Sequence, residues 1–148
     1  MKIVLIEDDP TKAERVRSAV LESIKDAEIA TYQSYQAGLR ALLSDGSDLV
    51  ILDMSLPTYD PVPNRRQGRP RPLGGVDIMR KMRRRGISAR VVVLTALENF
   101  GTRGSQFTFE ELVRMCEAEF DEMFLGAIYY SQSRTSWRDQ LQARLLDR

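Results

Sequence analysis

The chain has 148 residues and no histidine. That absence removes imidazole as a metal ligand, as an acid or base near neutral pH, and as a member of a Ser-His triad. Cysteine is almost absent as well. Cys116 stands alone, which excludes a disulfide framework and a zinc constellation built on thiolates. No apolar run approaches the ~20 residues of a membrane span. The four apolar residues before Glu7 are too few for a signal peptide. Lysine is scarce: Lys2, Lys12, Lys25 and Lys81 are all there are. Carboxylates are left as the main chemical resource, and a cytoplasmic location is expected.

The acids that are present lie in a telling place. Lys2-Ile3-Val4-Leu5-Ile6 is closed by Glu7-Asp8-Asp9, and Leu49-Val50-Ile51-Leu52 is closed by Asp53. A short continuous apolar run between polar residues reads as a strand buried on both faces, as in a parallel sheet. Acids at the C-terminal ends of two such strands share one sheet edge, where open α/β sheets bind ligands. Like charges a few ångströms apart repel by about 4 kcal/mol per close pair at an effective dielectric near 20. A cation or a proton is expected to relieve that repulsion.

The length suits one domain, and a hydrophobic content of 43% with 29% charged residues is that of a globular chain. The first strand is expected over 2–7. A helix follows, with Asp9 as N-cap, Pro10 in its first turn and Val16, Ala19, Val20 and Ser23 at helical spacing. A strand over 28–32 precedes a helix over 34–43 whose Leu39, Leu42 and Leu43 face inward, stopped by Asp45-Gly46. The third strand is 48–53. Residues 56–75 hold five of the six prolines and four arginines. They read as a long mobile loop without a regular ladder. A helix over 76–85 ends at Gly86, and 90–95 is the fourth strand. A loop through Asn99, Gly101 and Gly104 leads to a helix over 109–123 capped by Thr108. A fifth strand over 125–131 and a helix over 137–146, anchored by Trp137, complete the pattern. The fivefold β/α alternation implies a doubly wound five-stranded parallel sheet with flanking helices.

Charge is uneven. Residues 60–90 carry nine arginines and Lys81 against Asp60 and Asp77, a net of +8, so the remainder carries −7. Arg65, Arg66, Arg69 and Arg71 form a candidate partner-binding loop. Contacts from these arginines to nucleic-acid phosphates would be salt-dependent, but no aromatic residues interleave with them to stack bases. Arg83-Arg84-Arg85 reads as a solvated helix C-terminus, where cations complement the dipole.

With these residues in place, the chain resembles the receiver domain of two-component response regulators. Ile3-Val4-Leu5-Ile6-Glu7-Asp8-Asp9 is similar to that family's first strand and acidic pair. Leu49-Val50-Ile51-Leu52-Asp53-Met54-Ser55-Leu56-Pro57 is similar to its phosphoacceptor strand and turn. Val91-Val92-Val93-Leu94-Thr95-Ala96 is similar to its fourth strand and switch hydroxyl. The resemblance covers 1–148 as a single receiver-like domain, apart from inserted loops at about 56–75 and 97–108. It implies sheet order 2-1-3-4-5 and a phosphoryl group accepted on Asp53. It also implies Mg²⁺ held by Glu7, Asp8, Asp53 and the main-chain carbonyl of Ser55. Thr95 would be the switch hydroxyl and Tyr129 or Tyr130 the switch aromatic. Ala96, Gln132 and Arg134 are candidate phosphate contacts.

The chain departs from the family at the end of the fifth strand. A lysine is expected there, and Tyr130-Ser131-Gln132-Ser133 stands instead. None of the four lysines follows the fourth strand, so the carboxylates are expected to have no lysine to offset them. Arg134 is the candidate stand-in, though its planar fork is not equivalent to an ammonium. The resemblance implies a regulatory module of a two-component-like phosphorelay, not an enzyme beyond self-phosphorylation from a donor and autodephosphorylation. Its expected partners are a histidine kinase or phosphotransfer protein, a downstream protein, and a second copy in a homodimer. The alternative is a degenerate receiver that binds its partner without phosphorylation. Neither a membrane nor a nucleic-acid partner is favoured. The chain ends at its fifth helix, so no DNA-binding output domain is expected within it.

Overall fold

The computed structural model describes residues 1–60, 70–96, 99–102 and 105–146. Five strands form one parallel sheet: β1 (Lys2–Ile6), β2 (Glu28–Tyr32), β3 (Leu49–Leu52), β6 (Arg90–Thr95) and β9 (Phe124–Tyr129). Their order is β2-β1-β3-β6-β9 and every pairing is parallel, which is the expected 2-1-3-4-5 arrangement. The helices are α1 (Pro10–Ser23), α2 (Tyr35–Ser44), α3 (Gly74–Arg84), α4 (Phe109–Phe120) and α5 (Ser136–Leu146).

Alternate strand residues feed two separate cores, as a sheet covered on both faces requires. Ile3, Leu5, Leu49, Ile51, Val92 and Leu94 pack with Val16, Ala19 and Val20 of α1 and Trp137, Leu141 and Leu145 of α5. Val4, Ile6, Val50, Leu52, Val91 and Val93 pack on the opposite face with α2, α3 and α4. Cys116 belongs to this second core, and burial pushes its thiol up to about 12. It is therefore a small apolar filler and not a reactive group.

The helix ends follow local rules. The Asp9 carboxylate accepts the amides of Thr11 and Lys12. Ser34 accepts the Ala37 amide. Thr108 and Glu111 form a reciprocal capping box. Gly86 takes φ +69° after α3. Arg80 binds Glu119 through two nitrogens at 2.6 and 2.8 Å, and Arg83 donates to the Glu119 carbonyl. These contacts tie the basic end of α3 to α4. Arg84 and Arg85 stay exposed.

Four expectations need correction. Leu43 points outward, 43% exposed, because α2 turns only Leu39 and Leu42 to the sheet. The proline-rich stretch does start and end in a ladder: β4 (Leu56–Pro57) pairs antiparallel with β5 (Pro70–Arg71). Two-residue strands leave room for prolines, because few ladder amides are needed. Residues 61–69, with Arg65, Arg66 and Arg69, lie outside the described residues. The stretch after β6 is a hairpin, β7 (Asn99–Thr102) against β8 (Ser105–Thr108), where a loop was expected. The helix after it stops at Phe120 and gives way to a 3₁₀ turn over Asp121–Met123.

α3 begins two residues earlier than its apolar pattern suggests, and its first turn leans on the site edge. The Gly75 amide donates to the Met54 carbonyl at 3.0 Å. A Cβ at Gly75 would lie 2.9 Å from the Asp53 carbonyl oxygen and 3.2 Å from Met54 Cα. Backbone cannot yield as a flexible side chain does. Gly75→Ala is expected to cost about 1–3 kcal/mol, the usual range for overpacking. Urea denaturation of the two proteins measures it.

Candidate functional site

β1 and β3 lie in register, with Ile6 opposite Leu52. Glu7 and Asp53 therefore leave the sheet side by side, each one residue past its strand. The Asp53 amide donates to the Ile6 carbonyl at 3.1 Å, and the Glu7 amide to the Tyr32 carbonyl at 2.9 Å. Asp8 follows on the solvent side. Glu7 is buried, Asp53 half-buried and Asp8 exposed, and one carboxylate oxygen of each lies within 4.8 Å of the others. Asp9 is not part of this group, since its side chain caps α1. Its amide instead donates to Glu7 Oε2 at 3.0 Å and orients that carboxylate. Asp53 Oδ1 accepts the Met54 amide at 2.7 Å.

The expectation that no lysine offsets these acids is overturned. Lys12, in the first turn of α1, is 3% exposed. Its Nζ lies 2.5 Å from Glu7 Oε1 and 3.3 Å from Asp53 Oδ2. It also donates to the Leu94 carbonyl at 2.8 Å. Three oxygens thus surround the ammonium, two in ion pairs and one in a hydrogen bond. The Tyr130 ring lies 5.3 Å from the same nitrogen and closes the site from the side. With all groups ionised, three carboxylates and one ammonium sum to −2, the charge that a divalent cation balances.

Burial, and next the Asp53 charge, raise Glu7 from 4.5 to about 8, against the downward pull of Lys12 and the Asp9 amide. A carboxylate with almost no water contact, beside a second carboxylate, is penalised when it ionises.

The remaining predicted residues are placed as follows. Ser55 is half-buried in the turn between β3 and β4. Thr95 is fully buried at the end of β6, and its carbonyl accepts the Tyr130 amide at 2.8 Å. Ala96 is exposed beside it. Tyr129 is opposite Thr95 in the sheet, 40% exposed, and meets Phe109 of α4 edge-on at 6.2 Å. Tyr130 turns to the other face, buried against Trp137 at 5.0 Å. Gln132 and Arg134 are exposed in the turn before α5, and the Gln132 carbonyl accepts a bond from Arg15. The cation placed against the carboxylates is thus Lys12 and not Arg134. Arg71 has its guanidinium 4.1 Å from the Tyr35 ring.

Lys12 carries a signal in the sequence. It is four residues before Val16 and eight before Val20, on the buried stripe of α1. A cation in a helix's first turn also opposes the macrodipole. A lysine with both properties needs an anionic partner.

The sheet order, the two helical layers and the acidic edge define the class: this is the fold of response-regulator receiver domains. The Mn²⁺-bound form of response regulator Rcp1 superposes with a TM-score of 0.66, at 19% identity over 96% of this chain and 89% of that one. The receiver domain of the Francisella response regulator 1452 superposes with a TM-score of 0.63, at 14% identity over 99% of this chain and 93% of that one. Among curated proteins, the chain is similar to the Detocs response regulatory protein DtcB of Enterobacter cloacae (strain JD6301), 27% identical over 99% of both chains. No family model matches the chain.

A carboxyl raised by folding makes stability depend on pH. Between the unfolded value near 4.5 and the folded value of about 8, the folded chain holds the Glu7 proton more tightly. Glu7's contribution to stability is therefore full below pH 4.5 and is lost as pH rises towards 8. In metal-free buffer, denaturation midpoints of the parent are expected to fall more steeply over this range than those of Glu7→Gln. Parallel pH profiles for the two proteins would contradict the raised carboxyl.

Proposed function

We propose that the chain is a receiver-type regulatory module that accepts a phosphoryl group on Asp53. The observation that supports this best is the carboxylate group itself. Glu7, Asp8 and Asp53 converge at the C-terminal edge of the two central strands of a receiver fold. Their hard oxygens suit Mg²⁺, which keeps several waters, and exposed Asp8 leaves an approach from solvent. Glu7, Asp8, Asp53 and the Ser55 carbonyl would hold the ion. When bound, it supplies charge neutralisation to the carboxylates and the incoming phosphoryl oxygens.

The residues of the chain do the rest. A carboxylate oxygen of Asp53 attacks phosphorus in line. The bond to the donor's leaving group breaks, its electron pair departs with that group, and an acyl phosphate remains. The Met54 amide steadies the other Asp53 oxygen. Thr95 would turn its hydroxyl towards the new group, and Tyr129, exposed and opposite Thr95, would be the aromatic that responds. Tyr130 is committed to the core. The donor would be a histidine kinase, a phosphotransfer protein or a small phosphodonor, and a downstream protein would read the change.

One observation favours a second reading. Lys12 already bridges Glu7 and Asp53, so the edge is electrostatically held without a metal. A receiver fold stabilised this way could bind its partner without phosphorylation.

Incubation with acetyl phosphate and Mg²⁺ separates the two. Acid-stable, base-labile labelling that disappears in Asp53→Asn is expected. A parent that stays unlabelled while still binding its partner would support the second reading. Mg²⁺ at a hundred times its dissociation constant should add about 2.7 kcal/mol of stability. Thermal melts should show that gain in the parent and lose it in Asp8→Asn.

A further inference from the structure

We propose that Lys12 is the residue that contacts the phosphoryl group on Asp53. On this view α1 supplies the cation that the receiver resemblance places after the last core strand. The inference rests on the phosphoacceptor reading above and names the residue that senses the group.

A phosphoryl group brings about −1.5 to −2 of charge and three acceptor oxygens. It needs a cation within hydrogen-bond reach. Among the described residues, the cation within 4 Å of Asp53 is Lys12. Its position is fixed by Glu7, by the Leu94 carbonyl and by the Tyr130 ring, so it waits in place and need not be recruited from solvent.

Asp53 Oδ2, the oxygen that faces Lys12, is also the one free to attack, because Oδ1 accepts the Met54 amide. Esterification removes its negative charge, so the ammonium passes from Oδ2 to a phosphoryl oxygen. Lys12 also donates to the Leu94 carbonyl, and Leu94 immediately precedes Thr95. A shift of the ammonium towards phosphorus therefore acts on the peptide that leads into the switch hydroxyl. The same ammonium would then link the modification to β6 without any residue from the turn after β9. Arg15, three residues further along α1, bonds the Tyr130 hydroxyl and the Gln132 carbonyl. Movement of α1 therefore reaches that turn as well.

Beryllofluoride binding in Mg²⁺ tests this, in the parent, in Lys12→Gln and in Lys12→Gln combined with Gln132→Lys. Loss of the ammonium should weaken beryllofluoride binding about ten- to a hundred-fold, the range for a charged hydrogen bond. It should also abolish the amide shifts at Thr95 and Tyr129. Mg²⁺ alone should bind Lys12→Gln more tightly than the parent, because a competing charge has gone. The opposite signs separate a phosphoryl contact from general damage. The second lysine, in the stretch where the resemblance expects one, should restore part of the beryllofluoride affinity. Parental beryllofluoride affinity and shifts in Lys12→Gln would overturn the proposal and leave Lys12 a structural ion pair. A parent that is neither labelled by acetyl phosphate nor bound by beryllofluoride would defeat the phosphoacceptor reading itself. Should Lys12→Gln fail to fold, Lys12→Met keeps the length of the side chain and faces the same outcomes.

Discussion

Carboxylates delivered by adjacent strands repel one another, and the buried ammonium of Lys12 is what holds this edge together. Its cost is considerable. Removing a charge from water is repaid only when the geometry is good and every donor is satisfied. Here Glu7, Asp53 and the Leu94 carbonyl surround the ammonium. The consequence spreads through both central strands and β6, because one side chain joins the ends of β1, β3 and β6. Asp8 is the most exposed of the three carboxylates.

The site also draws on both layers of the fold. Lys12 and Tyr130 come from the face covered by α1 and α5. Met54 and the tight first turn of α3 come from the opposite face. The Asp53 backbone is caught between them. Its amide is tied to β1, and its carbonyl oxygen faces Gly75. An aspartate gripped on two sides can pass strain to either layer. Tyr129 and Tyr130, neighbours in sequence, point one to each.

Much of this was legible before any coordinates. Continuous apolar runs mark the buried strands, and Asp9, Thr108 and Gly86 mark helix ends through local signals that need no tertiary context. The carboxylate edge followed from strand direction alone. What escaped was non-local or weakly patterned. Lys12 meets a carbonyl 82 residues away, and nothing in its neighbourhood names that partner. The hairpin of β7 and β8 is built from Asn, Gly, Ser, Thr and Gln with two phenylalanines, too little apolar alternation to read as strand. The β4–β5 pair is two residues long on each side, below the length at which a period can be recognised. Leu43 reads as part of an inward Leu39-Leu42-Leu43 face, whereas the helix angle carries it outward.

The short sequence distance between Glu7 and Lys12 has a bearing on the order in which this chain assembles. They stand five positions apart, so bringing them together closes a small loop at little entropic cost. Asp53 and Leu94 must come from much further along the chain, and contacts of that separation form late. The acid and its counter-ion can therefore meet while α1 is still docking on β1. The later strands would then add their polar ends to a charge pair already neutralised, and the nascent sheet would never have to close over a lone buried carboxylate.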